Sequence, residues 1–209
     1  MKEYKITKVF ESRVGIGAEF ECDGKTEALT FRISVWADEG LKKGALIDER
    51  KMDGLRYLAE VSAAAGRGEA MIAASDQSKK RLTLRLTSEG YSRDAAEDAA
   101  LIIADMGLID EDAQCERLCR EYVRYKNWGK KRIAAELSAK GYEKSSVLYG
   151  LGFITKEDTD EALERLIRQK YRSPAEDKRE RDKRIAALVR LGHGTSDIIR
   201  TLKEVFDNE

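Results

Sequence analysis

The sequence predicts a mainly α-helical chain: tandem three-helix repeats in an elongated array, preceded by a small antiparallel β region. Three observations carry this expectation. Apolar residues alternate with polar ones up to about residue 50, then recur at helical spacing. A helix-ending glycine returns at positions 90, 141 and 192 within the same local text. A single proline, Pro174, interrupts the chain.

Residues 1–50 read as strands. Tyr4 and Ile6, then Phe20 and Cys22, alternate with polar neighbours, and Leu29, Phe31, Ile33 and Val35 form the clearest period-two run. Asp23-Gly24 stands between two such runs, a strong hairpin signal. Gly40 and Gly44 punctuate the end of this part, so a sheet of three or four strands is expected. From Met52 the pattern turns helical, with Leu55, Leu58, Ala59 and Ser62 opening a linking helix in the segment 51–76.

The repeats follow, as segments 77–126, 127–172 and a truncated 173–209. Arg81-Leu-Thr-Leu-Arg-Leu-Thr-Ser-Glu-Gly90-Tyr91 recurs as Arg132-Ile-Ala-Ala-Glu-Leu-Ser-Ala-Lys-Gly141-Tyr142, and more loosely as Lys183-Arg-Ile-Ala-Ala-Leu-Val-Arg-Leu-Gly192-His193. A leucine precedes each glycine by four: Leu86, Leu137 and Leu188. Glycine just past an apolar-periodic helix takes the left-handed conformation that closes it. A second helix follows, with Ala96, Val147 or Ile198 six residues on. Two copies continue into a third helix with N-caps Asp110 and Thr155. The unit is about 45 residues and cannot bury its apolar stripes alone, so copies must stack. The second copy has six residues fewer between its two glycines. Ser173-Pro174-Ala175-Glu176 reads as the start of the next helix, with 176–184 its solvated face.

Composition excludes several classes. The 39 basic and 39 acidic residues cancel, whereas a dedicated phosphate binder is plainly basic. No apolar leader follows Met1 and no run approaches a membrane span, so a cytoplasmic location is expected. Three cysteines make a disulfide framework a poor reading.

Chemistry is equally sparse. The one histidine, His193, follows a helix-ending glycine, where a structural or surface role is expected. Gly150-Leu151-Gly152 falls at a helix junction and reads as packing, not as a phosphate loop. Cys115 and Cys119 share a helix face but lack the further ligands zinc wants, so they read as small buried hydrophobes. No catalytic residue, metal or cofactor is expected, and the chain is not read as an enzyme.

The basic residues are more informative. From Arg117 to Arg132 seven basic residues face one acid, Glu121. Arg117, Arg120 and Arg124 share one helical face, with Tyr122, Tyr125 and Trp128 interleaved. The candidate partner-binding surface is Arg117, Arg120, Arg124, Lys130, Lys131 and Arg132. It suits phosphates or an acidic protein surface. The competing reading is a solvated face with the aromatics in the core. A second basic stretch runs from Arg165 to Arg172.

The segment Trp128-Gly-Lys-Lys-Arg-Ile-Ala-Ala-Glu-Leu-Ser-Ala-Lys-Gly141 resembles the signature of the RecX family. Gly107-Leu-Ile-Asp-Glu111 is similar to a second family segment, and Gly40-Leu-Lys-Lys-Gly44 closes a start that resembles the amino-terminal extension of some members. The resemblance is firm from about Met71 to Phe206. It implies a non-enzymatic regulator of DNA repair and the SOS response. Such a protein lies in the groove of the RecA filament on DNA, bridges protomers, and inhibits recombinase, ATPase and coprotease activities. A monomer with at most weak contact to single- or double-stranded DNA is expected. The alternative is a helical-repeat DNA-binding module acting without RecA.

Overall fold

A computed structural model describes residues 2–207. The chain divides at Ile109/Asp110 into two compact units. In the first, strands β1 (Glu3–Ser12), β2 (Gly15–Cys22), β3 (Lys25–Phe31) and β4 (Leu46–Asp48) form one antiparallel sheet in the order β3-β2-β1-β4. Asp23 and Gly24 turn between β2 and β3 with φ of 52° and 74°. Two left-handed central residues match the twist of a tight hairpin, as the Asp-Gly pair predicts. Tyr4, Ile6, Ala18, Phe20 and Phe31 share one buried core.

The run from Leu29 to Val35 does not form one strand. β3 ends at Phe31, and Ile33–Asp38 is a short helix, α1. An extended chain would have carried Ile33 into the core, yet Ile33 is 67% exposed. The Arg32 N–H donates to the Ser62 hydroxyl at 3.2 Å, which turns the backbone out of the sheet. The helical turn then folds Val35 and Trp36 back onto that core, with the Trp36 ring 6.2 Å from Phe31.

Helix α2 (Glu49–Ala74) begins where the Asp48 carboxylate accepts the Lys51 N–H. Its apolar side serves two cores. Met52, Leu55 and Ala59 pack with the sheet; Ala64, Ala65 and Met71 pack with α3 (Lys79–Ser88) and α4 (Arg93–Asp105). Gly68 lets α4 approach closely, since a Cβ there would stand 2.5 Å from the Ile103 side chain.

The second unit holds α5 (Glu111–Lys126), α6 (Lys130–Ala139) and α7 (Lys144–Gly152), then α8 (Lys156–Lys170), α9 (Lys178–Arg190) and α10 (Thr195–Asp207). Cys115, Cys119, Ile133, Leu137 and Val147 centre one core; Leu163, Ile167, Leu188, Ile198 and Val205 centre another. Asp110 and Thr155 cap α5 and α8 as predicted, Thr155 in a reciprocal capping box with Asp158.

The repeat glycines behave as the sequence requires: Gly90, Gly141 and Gly192 have φ of 104°, 87° and 93°. Leu86, Leu137 and Leu188 are fully buried equivalents. Two details differ. Gly107 is left-handed but Gly152 lies inside α7, whose shorter text closes at Phe153 instead. The helix expected at Ser173-Pro174 begins at Lys178, because the Asp177 carboxylate accepts the Glu180 N–H and takes the capping position.

The packed groups also start one helix earlier than the textual repeats. Each opens with a long helix followed by two shorter ones: α2-α3-α4, α5-α6-α7 and α8-α9-α10. A periodic text can be cut at any phase, but a core cannot. The apolar side of α5 faces α6 and α7, so α5 opens their group. The segment 173–209 accordingly supplies two of three helices in a complete group with α8. Among the described residues no helix is long and apolar enough to cross a membrane.

Candidate functional site

Helix α5 is amphipathic in the simplest way. Cys115, Cys119, Tyr122 and Val123 point into the core, and Arg117, Arg120 and Arg124 fall on the opposite face. Two of the three are already engaged on their own helix. Arg117 bonds Glu121 at 2.8 Å, and Arg120 bonds Glu116 at 2.9 Å while lying 5.3 Å over the Phe153 ring. Arg124 lies 5.4 Å over the ring of Tyr125 and has no carboxylate partner among the described residues.

Asn127 ends α5 in the left-handed conformation, and Gly129 opens α6 without a side-chain cap. Lys130, Lys131 and Arg132 then occupy the first turn, where no acidic residue stands. Cations at this positive end of a helix are mildly unfavourable, by a few tenths of a kcal/mol to about 1 each. Local helix stability therefore does not explain them. Arg132 is the exception: with Lys126 it flanks the Trp128 ring, at 5.0 and 4.5 Å, and it reaches Glu136 at 3.6 Å.

Lys130 and Lys131 line a cleft between the start of α6, the α8 residues Thr159 and Asp160, and the turn Gly192–Gly194. The acids there are taken, since Arg200 holds Asp160 at 2.8 Å and Asp197 at 3.5 Å. The structure thus divides the six predicted residues. Arg117, Arg120 and Arg132 are neutralised on their own helices; Arg124, Lys130 and Lys131 are exposed cations without a carboxylate partner among the described residues. Arg165 and Arg168 of the second basic stretch pair with Glu161 and Glu164.

The aromatics divide too. Tyr122 and Trp128 pack against each other at 5.1 Å beside the core, whereas Tyr125 is 72% exposed. Tyr149 and Phe153 were missed in the sequence. They meet edge to face at 5.1 Å on α7, next to Arg120. Their four-residue spacing on one helix was the available signal.

The remaining candidates are structural. Burial pushes the Cys115 thiol up to about 12 and Cys119 to about 11, so neither supplies a thiolate near neutral pH. Among the described residues no group of three or more potential metal ligands comes together. His193 is buried and held at 2.9 Å from the Asn127 carbonyl; burial lowers its pKa.

No family model matches the chain. In sequence it is similar to Regulatory protein RecX from Mycobacterium sp. strain KMS and from strain MCS. Each is 26% identical over 132 residues, which is 60% of this chain and 72% of the relative. In fold it is similar to a crystal structure of regulatory protein RecX, with a TM-score of 0.74, 19% identity, and 99% of this chain and 100% of that one covered. It is also similar to RecX from Lactobacillus salivarius, with a TM-score of 0.60, 18% identity, and coverage of 70% and 96%.

Proposed function

We propose that this chain, a RecX-family regulatory protein by its sequence relatives and its fold, binds the RecA filament and lowers its recombinase, ATPase and coprotease activities. The family resemblance supplies RecA as the partner. The observation that supports a binding surface on α5 and α6 is the set of exposed cations Arg124, Lys130 and Lys131, without a carboxylate partner among the described residues, in a chain with zero net charge. Exposed charges contribute less than about 1 kcal/mol each to folding, so these three are free to serve an anionic partner. A nucleoprotein filament presents DNA phosphates and acidic protein side chains close together. Binding, not bond-making, is the mode of action.

The test is charge reversal. Arg124→Glu, Lys130→Glu and Lys131→Glu together should leave the melting temperature nearly unchanged. The triple variant should co-sediment less with RecA on single-stranded DNA and should restore RecA ATP hydrolysis, most clearly at low salt. Lys2→Glu, Lys5→Glu and Lys8→Glu form the control. Equal loss in both triples would mean that long-range charge alone matters; no loss in either would make the band a solvated face.

One observation favours the second reading, a module that binds DNA without RecA. Tyr125, exposed beside Arg124, offers a base-stacking surface next to a phosphate-binding cation. A gel shift of single-stranded DNA at two salt concentrations, with Tyr125→Ala alongside, separates the two.

A further inference from the structure

The third helix group breaks the repeat at one core position. Leu82 and Ile133 stand eight residues before Gly90 and Gly141, and both are fully buried. The residue eight before Gly192 is Arg184. Its side chain is still only 10% exposed, while the neighbouring Ile185 supplies the aliphatic contact to this core. Arg184 Nε and Nη2 donate to the Glu180 carboxylate, Nη1 donates to the Ser173 carbonyl at 2.7 Å, and the group lies 4.6 Å over the Tyr171 ring. These contacts draw the side chain toward the loop before α9.

An apolar cleft of about 180 Å³ opens beside it. One wall is Ile199, Leu202 and Phe206 of α10. Their three- and four-residue spacing widens the apolar face of Ile198 and Val205 toward solvent, and Leu202 and Phe206 pack at the edge of the same core. The lining residues Ile199, Leu202 and Phe206 are only half-buried. Arg181 and Lys203 stand at the mouth, exposed and without a carboxylate partner among the described residues.

We propose that this cleft docks an acidic peptide segment of a protein partner. One large apolar side chain fills the cleft, and flanking Asp or Glu carboxylates meet Arg181 and Lys203. The volume lies below the roughly 300–1,000 Å³ of pockets that enclose small molecules, and suits a single anchoring side chain. Aliphatic walls favour an aliphatic or aromatic anchor. A nucleic-acid strand would need an open aromatic face, and Phe206 is half-buried among aliphatic neighbours. The site shares no residue with the basic surface of α5 and α6, so its fate is independent of that reading.

The experiment titrates the full chain, methyl-labelled at Ile and Leu, with four peptides of the form acetyl-Glu-Asp-X-Glu-Asp-amide, where X is Leu, Ile, Met or Phe. At least one should give saturable shifts centred on Ile199 and Leu202. The Arg181→Glu, Lys203→Glu double variant, whose changes are both on the surface, should weaken that peptide at least about tenfold and leave the fold's spectrum intact. Replacing X by Ala, or the four acids by Lys, should also abolish the shifts. The proposal is overturned if no peptide binds, if the shifts centre elsewhere, if the lysine peptide binds equally well, or if a short oligothymidylate displaces the acidic peptide.

Discussion

His193 Nε2 stands 2.9 Å from the backbone carbonyl of Asn127, 66 residues away in sequence. The contact joins the turn that ends α5 to the turn that opens α10. Beside it the Gly129 N–H donates to the Leu191 carbonyl at 2.8 Å, and Arg165 Nε donates to the Asn127 side-chain oxygen at 3.2 Å. Two loops with no shared local pattern thus fasten the second helix group to the third.

This junction should make stability depend on pH. Burial lowers the His193 pKa, more than the Asn127 hydrogen bond and the charges of Asp197 and Asp160 raise it. The folded value lies below the unfolded value of about 6.5. As pH falls, the unfolded chain takes up the proton first. The contribution is therefore complete above about pH 6.5 and is lost as pH falls toward and through the folded value. Urea unfolding should show a fall in stability between about pH 7.5 and 5.5 that is smaller in His193→Gln. Equal declines in the two proteins would remove His193 from the pH response.

Two glycines with similar backbone angles should respond differently to alanine. At Gly90 a Cβ meets nothing within 4 Å, so Gly90→Ala should cost only the left-handed penalty, about 1–2 kcal/mol. At Gly192 a Cβ would stand 2.4 Å from the Arg132 nitrogen and 2.6 Å from the Gly129 oxygen, both backbone atoms that cannot swing aside. Gly192→Ala should cost clearly more, because the loops must also part. Thermal melts of the two variants measure the difference, and equal costs would mean that the junction yields freely.

Leu137 is fully buried against its group's core, whereas Lys131 is exposed on the same helix. Leu137→Ala should cost about 2–5 kcal/mol, and Leu188→Ala should fall in the same range. Lys131→Ala should cost less than about 1 kcal/mol. Chemical denaturation decides this, and a mild effect at Leu137 would contradict its place in the core.

Part of the candidate site was legible before any fold was known, and part was legible but unread. The charge excess from Arg117 to Arg132 is a property of the text. So are the i,i+4 pairs Arg117–Glu121 and Arg132–Glu136, and the reverse pair Glu116–Arg120, which engage three of the six candidate residues. That Lys130 and Lys131 keep no acid among the described residues could not be read, because Asp160 and Asp197 lie far along the chain and are held by Arg200. The run from Leu29 to Val35 misled for a related reason. Alternation reports a strand only while the neighbouring strand continues the pairing; β2 pairs with β3 only as far as Phe31, and Ser62 on a distant helix takes the N–H of Arg32.

By itself the sequence determined most of the helices, the caps Asp110 and Thr155, the left-handed Gly90, Gly141 and Gly192, and the repeat. Each depends on bonds and sterics within a few residues, so each leaves a local mark such as Asp23-Gly24, Thr155 or Gly141. Tertiary structure alone decided where a core begins and ends. It opened each packed group with its long helix, turned Arg184 toward the loop before α9 while Ile185 met the core, and brought His193 to Asn127. The physical reason is range: burial and loop-to-loop hydrogen bonds depend on which segments meet in space, and a repeated text carries no mark of the phase at which it packs.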